Sequence, residues 1–240
     1  KLLMLSGVGP SGELNHHGIE IVRDAPNVGA NYQDHVGTPV TYKLKSGTGY
    51  HNADKGLAAL KNGIDYFIFK RGLLVSNLLS AGACVDTDGD GRPDVQFNFA
   101  PFAPGAPGEG PLPHHSIHLH PMTMRPKSRG RLVLASTNPV DHPKFYAQTL
   151  VADEDLDILR RGVRLSRDIC AQPALKEILG EAIWPGPDIS IMAGSNSLDD
   201  AIRKQARTVY HPAGTCRMGT DQQAVVDLRL KVNGVEGLRV

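Results

Sequence analysis

Ten residues hold the densest chemistry of this 240-residue chain: Tyr210-His211-Pro212-Ala213-Gly214-Thr215-Cys216-Arg217-Met218-Gly219. A residue that precedes proline is pushed toward extended geometry, because the pyrrolidine ring crowds its main chain. Pro212 and the two glycines then let the backbone turn tightly and approach a neighbour closely. The pattern predicts His211 on a stiff turn, with its main chain held and its ring aimed. Imidazole titrates close to neutral pH, so that placement suits a general base. A structural loop histidine is the alternative for the same residues. Cys216, five positions on, raises a Cys–His nucleophile, against which stands simple apolar packing of a small thiol.

Two further clusters carry ligand chemistry. Asp86-Thr87-Asp88-Gly89-Asp90-Gly91-Arg92-Pro93-Asp94 places carboxylates at alternate positions and glycine at the sixth, like the opening of a calcium loop. The twelfth position is Phe97, where a bidentate glutamate should close the cage, so an acidic turn leading into a strand is expected instead. His114, His115, His118 and His120 form an imidazole cluster, and His118 and His120 share one face of a strand. No neighbouring cysteine or carboxylate completes a ligand set, so pocket-lining or surface roles are expected and no metal site is assigned. His16, His17 and His35 receive no role from their neighbours.

Composition narrows the classes. Twenty-six basic residues stand against 25 acidic ones for a net charge of +1, and no long basic run occurs, which argues against a nucleic-acid partner. Apolar residues make up 40% of the chain, enough for a core. Cys84, Cys170 and Cys216 are scattered and odd in number, which gives no disulfide framework and suggests a reducing, cytoplasmic setting. No stretch reaches the roughly 18 apolar residues of a membrane span. Lys1-Leu2-Leu3-Met4-Leu5 starts like a signal peptide, but its apolar run stops at Ser6-Gly7.

Five groups of residues, in order, resemble the glucose–methanol–choline (GMC) flavoenzyme family. They are Leu2–Pro10 with Val28-Gly29-Ala30-Asn31-Tyr32-Gln33-Asp34-His35, then Asp65–Gly72, Arg125–Gly130, Val209–Gly219, and Ala224–Asp227 with Gly234–Val240. The resemblance implies an FAD-dependent oxidation of a small-molecule alcohol to an aldehyde or ketone, with His211 as the base. It implies a second catalytic histidine or asparagine beyond Val240. It also implies a chain that is the carboxy-terminal part of an enzyme, expected to lack the G-x-G-x-x-G unit that seats the FAD pyrophosphate at a helix N-terminus. No cofactor-binding residue is therefore assigned, and the chain alone is expected to bind little FAD and to turn over nothing. A hydroxynitrile lyase on the same scaffold, or a non-catalytic remnant, remains open. The aromatic fraction of 5% argues against an aromatic cage for a quaternary ammonium.

For the elements that must position these residues, the resemblance implies an α+β fold with a mixed, mostly antiparallel substrate-domain sheet, packed helices, and remnants of an FAD-binding α/β domain at both ends. The expected division is 1–40 for a remnant of the FAD-binding domain, 41–206 for a substrate-binding domain, and 207–240 for the histidine turn and return. Gly18–Val22 alternates like a half-buried strand. Leu57, Leu60, Ile64, Phe67 and Ile68 recur at helical spacing, with Asp54 as N-cap and Gly72 as stop. Val95–Phe99, Ser116–His120 and Arg131–Ala135 read as strands. The proline- and glycine-rich stretch Pro101–Pro111 reads as a loop and a candidate gate. A helix starts near Asp153, with Leu156, Leu159, Val163, Ile169 and Cys170 inward and Arg160, Arg161, Arg164 and Asp168 toward solvent, and Pro173 marks its end. Another helix opens at Ser197 and runs to about Ala206.

Overall fold

The computed structural model describes residues 1–47, 49–105, 110–192 and 196–240. In chain order the elements begin α1 (Leu2–Leu5), β1 (Val8–Gly9), α2 (Ser11–His16), β2 (Arg23–Asp24), β3 (Val36–Gly37), β4 (Val40–Leu44) and α3 (Gly56–Phe67). After a 3₁₀ turn at Leu73–Val75 come β5 (Ala81–Val85), β6 (Val95–Ala100), β7 (Ser116–Thr123), β8 (Arg131–Val133) and β9 (Lys144–Tyr146). The remainder is α4 (Asp153–Cys170), α5 (Pro173–Ile178), β10 (Leu179–Trp184), α6 (Asn196–Gln205) and β11 (Arg207–Thr208).

The chain forms two compact units. The first gathers Lys1–His35, Pro126–Ala152 and Thr208–Val240; the second holds Val36–Arg125 and Asp153–Arg207. These bounds differ from the expected 1–40, 41–206 and 207–240, chiefly because Pro126–Ala152 packs with the two terminal stretches.

In the first unit β1 and β2 pair in parallel, joined through α2, and β8 pairs antiparallel with β9. Met4, Val8, Leu14, Leu134, Val226 and Val232 form its core. The strand expected at Gly18–Val22 is a correction: regular pairing begins only at Arg23, and Ile21 and Val22 are exposed. The Val22 N–H reaches the Gly7 carbonyl at 2.9 Å, but the ladder with β1 takes in only Arg23 and Asp24, so the alternation before them is not extended into a strand.

The second unit is a sheet ordered β10-β4-β7-β3-β11, with β6 joining β7 and β5 joining β6. Its register sets Phe97 against Pro121, Asn98 against His120 and Thr41 against His118. The 18-residue α4 lies on β7, burying Leu156, Leu159 and Val163. Gly162 lets it approach: a Cβ there would meet the Pro121 Cβ at 2.7 Å. Each fully buried leucine or valine stabilises the unit by about 1.5–3 kcal/mol.

Several elements depart from expectation. The apolar face of α3 exists but is exposed, with Leu57 84% and Phe67 71% accessible. The buried group on α3 is Asp65, held by Lys61 at 2.6 Å and Arg71 at 3.2 Å. Its N-cap is Lys55, not Asp54. Arg160 and Arg161 are not free solvent groups: Arg160 grips Asp199 of α6 through two bonds of 2.6 Å, and Arg161 pairs with Asp94 at 2.8 Å. Pro173 opens α5 at its first turn, as well as following the end of α4. Strand β8 is shorter than the expected Arg131–Ala135.

Candidate functional site

The turn bearing His211 lies in the first unit, and its backbone is fixed by a neighbouring stretch. Gln33 and Ala213 exchange N–H···O bonds of 2.9 and 2.8 Å, Val209 donates to the His35 carbonyl at 3.1 Å, and Gly29 donates to Thr215 at 2.9 Å. Segments 29–35 and 209–215 therefore run side by side. Gly214 has φ +93°, and a Cβ on it would collide with the Asn31 carbonyl, so the close approach needs glycine. Its carbonyl accepts from the Asn31 amide at 3.3 Å.

Asp34 is the polar centre of this arrangement. Its carboxylate is buried and accepts the His211 main-chain N–H at 3.0 Å, the Tyr32 hydroxyl at 3.2 Å and a short bond from the Thr208 hydroxyl. The Thr208 oxygen in turn accepts the Tyr210 N–H at 2.9 Å. Burial, then the Asp34 charge, raises the Tyr32 phenol above its ordinary value, so it remains a hydrogen-bond donor at neutral pH. The His211 ring is exposed, with its Nδ1 3.3 Å from Nδ1 of His35 and the two rings edge to face at 5.2 Å. His211 is thus an exposed imidazole on a main chain held by hydrogen bonds from segment 29–35. The sequence reading named His211 but gave no role to Tyr32, Asp34, His35 or Thr208; the acidic residue four positions from Gly29-Ala30 was the available signal.

Other sequence candidates fall elsewhere. Cys216 packs against the apolar cluster of the first unit, and burial raises its thiol above the ordinary range, which disfavours the thiolate that a nucleophile needs. All three cysteines are free. Asp86, Asp88 and Asp90 do converge, within 4.8 Å of one another, but Asp86 accepts the N–H groups of Gly89 and Gly91 at 2.7 Å each. Asp94 is committed to Arg161 and Thr87, and Phe97 is a strand residue. These are the bonds of an acidic turn. His118 and His120 stand 5.0 Å apart on β7, and among the described residues no group of three ligands includes them. The expected loop Pro101–Pro111 is irregular where described, with 106–109 outside the described residues; Phe102, Ala103 and Pro111 line a cavity of about 510 Å³ together with Tyr50, Leu73 and His114. Among the described residues no helix is long and apolar enough to cross a membrane.

The expectation of no G-x-G-x-x-G needs correcting, since Gly7, Gly9 and Gly12 have that spacing and sit on a β1-α2-β2 parallel unit. They nevertheless do not fit a pyrophosphate. The first-turn amide of Ser11 is already taken by the Asp24 carboxylate at 2.9 Å, Glu13 adds a second acid, and α2 is only six residues long. An anion there would meet negative charge where a dinucleotide site presents free N–H groups. The residues present do not make an FAD phosphate site.

A histidine-bearing turn beside an α+β unit with a largely antiparallel sheet is the frame in which the similarities to known proteins fall. Residues 126–240 match the family model described as GMC oxidoreductase. The chain belongs to the GMC oxidoreductase family and corresponds to a carboxy-terminal portion of it. It is 37% identical over 241 residues to an oxygen-dependent choline dehydrogenase of Pseudomonas aeruginosa (strain LESB58), covering 100% of this chain and 42% of that protein. An alcohol dehydrogenase (acceptor) of Pseudomonas putida is 37% identical over 246 residues, covering 100% and 43%. Among solved structures, the formate oxidase of Aspergillus oryzae RIB40, studied for modification of its FAD, superposes with a TM-score of 0.86 at 27% identity, over 100% of this chain and 46% of that one. The chain spans less than half the length of these relatives.

Proposed function

We propose that the protein to which this chain belongs oxidises a small alcohol to an aldehyde or ketone, with FAD as hydride acceptor and His211 as general base. The observation that carries this reading is the exposed imidazole of His211 on a main chain pinned from both sides by segment 29–35. FAD supplies the redox centre, and the protein supplies orientation and proton transfer. The work of these residues is to take the hydroxyl proton: as Nε2 or Nδ1 of His211 accepts it, electron density rises on the alcohol oxygen and the adjacent C–H bond weakens. A positioned base of this kind contributes roughly 10²–10⁴-fold.

The test uses the full-length protein under anaerobic conditions, following bleaching of the flavin absorption when alcohol is added. His211→Ala is expected to slow bleaching by about 10²–10⁴-fold while flavin remains bound. Bleaching at the wild-type rate would remove His211 from the chemistry and with it this reading. The 240-residue chain by itself is expected to emerge from gel filtration without flavin absorption.

A further inference from the structure

We propose that Asp34 is the positioning residue for His211, acting together with the Thr208 hydroxyl to aim the imidazole; the proposal rests on the reading of His211 as the base. Asp34 is 9% accessible, and among the described residues it forms no ion pair with lysine or arginine. Among the described residues its charge is met by three donors, the His211 N–H, the Tyr32 hydroxyl and the Thr208 hydroxyl. A buried carboxylate without a cation is costly, and a turn could be capped more cheaply by a neutral side chain. What the carboxylate uniquely offers is acceptor capacity alone: two oxygens that take three donors from two separate segments at once.

Those donors hold a strained conformation. Tyr210 has φ 65°, in the left-handed region that a bulky side chain rarely enters. Such a residue stays there only where its surroundings over-determine it. The over-determination is visible on both sides: Thr208 takes the Tyr210 N–H, and Asp34 takes the next N–H, that of His211, while also holding Thr208 in place. Removing either arm lets Tyr210 relax toward an ordinary backbone and carries the His211 ring with it. A displacement of about 1 Å at a reacting group lowers rate by up to about 10²-fold.

The experiment compares Asp34→Asn, Thr208→Val and Thr208→Ser with His211→Ala in the full-length, flavin-bound protein, measuring kcat, KM, flavin content and Tm. Expected are a fall in kcat of roughly 10–100-fold for Asp34→Asn and Thr208→Val, with KM and flavin content held, and recovery of most of the rate in Thr208→Ser, which keeps the hydroxyl. Should Asp34→Asn fail to fold, the valine and serine pair at position 208 decides alone. Wild-type kcat in Thr208→Val, or loss of flavin and Tm in step with kcat in both variants, overturns the proposal, the second outcome because it marks a purely structural clamp. Failure of the base reading is distinct: there His211→Ala itself keeps its rate.

Discussion

Gly214 shows how narrowly the turn is specified one residue at a time. Its φ of +93° and the Asn31 carbonyl against its missing side chain leave no room for a methyl group. Gly214→Ala is expected to cost about 1–3 kcal/mol, because it combines a left-handed conformation with a backbone clash. The cost would appear as a lowered Tm in thermal unfolding; an unchanged Tm would mean that the two segments are not held as described. At this scale much was legible. The His211-Pro212 pair announced a stiff turn because proline acts on its immediate neighbour. Asp34 was not legible, because its three donors come from positions 32, 208 and 211, and a sequence does not display which distant amide will face a carboxylate.

Elements were legible in period and illegible in partnership. The alternation over Ser116–His120 placed His118 and His120 on one face, as the structure has them, but not their burial. Burial, reinforced for His118 by the His120 charge and for both by Arg207, pushes His118 down to about 3 and His120 down to about 4 from an ordinary 6.5. Thr41, on the facing strand, is neutral. The sign follows from proton counting. Above about pH 6.5 both rings are neutral whether folded or unfolded and cost nothing; below it the unfolded chain takes up protons that the fold refuses, so stability falls as pH drops toward 4. Each imidazole contributes a slope of up to about 1.4 kcal/mol per pH unit in that window. Urea unfolding at pH 7, 6, 5 and 4 is expected to show this loss, and His118→Asn with His120→Asn to flatten it; equal slopes would refute burial of the pair. Helix α3 teaches the complementary point. Its 3.6-residue period was right, yet Leu57, Leu60 and Phe67 lie open, because periodicity defines a face and not what covers it. The literal G-x-G-x-x-G at Gly7–Gly12 shows the same gap from the other side, since spacing matched while Asp24 occupied the amide a phosphate would need.

For the whole molecule, the α+β class with its mostly antiparallel sheet came from the family resemblance, while runs such as Val95–Phe99 and Ser116–His120 marked individual strands of that sheet. The division did not, because Pro126–Ala152 carries no composition shift that would assign it to the terminal stretches. That division has a temporal side. The second unit rests on two stretches, and its central strands β4, β6 and β7 fall within Val36–Arg125. The first unit needs Lys1–His35, Pro126–Ala152 and Thr208–Val240 at once, so its contacts close loops that span nearly the entire chain. Closing such loops is entropically dearer, and contacts of long sequence separation form late. Pulse-labelled hydrogen exchange during refolding should therefore protect the amides of Thr41 and Leu119 before those of Gln33 and Ala213. Simultaneous protection would argue for one cooperative step. On a ribosome the order is stricter, because Thr208–Val240 is translated after β3 to β10: those strands can pair before the turn that carries His211 exists.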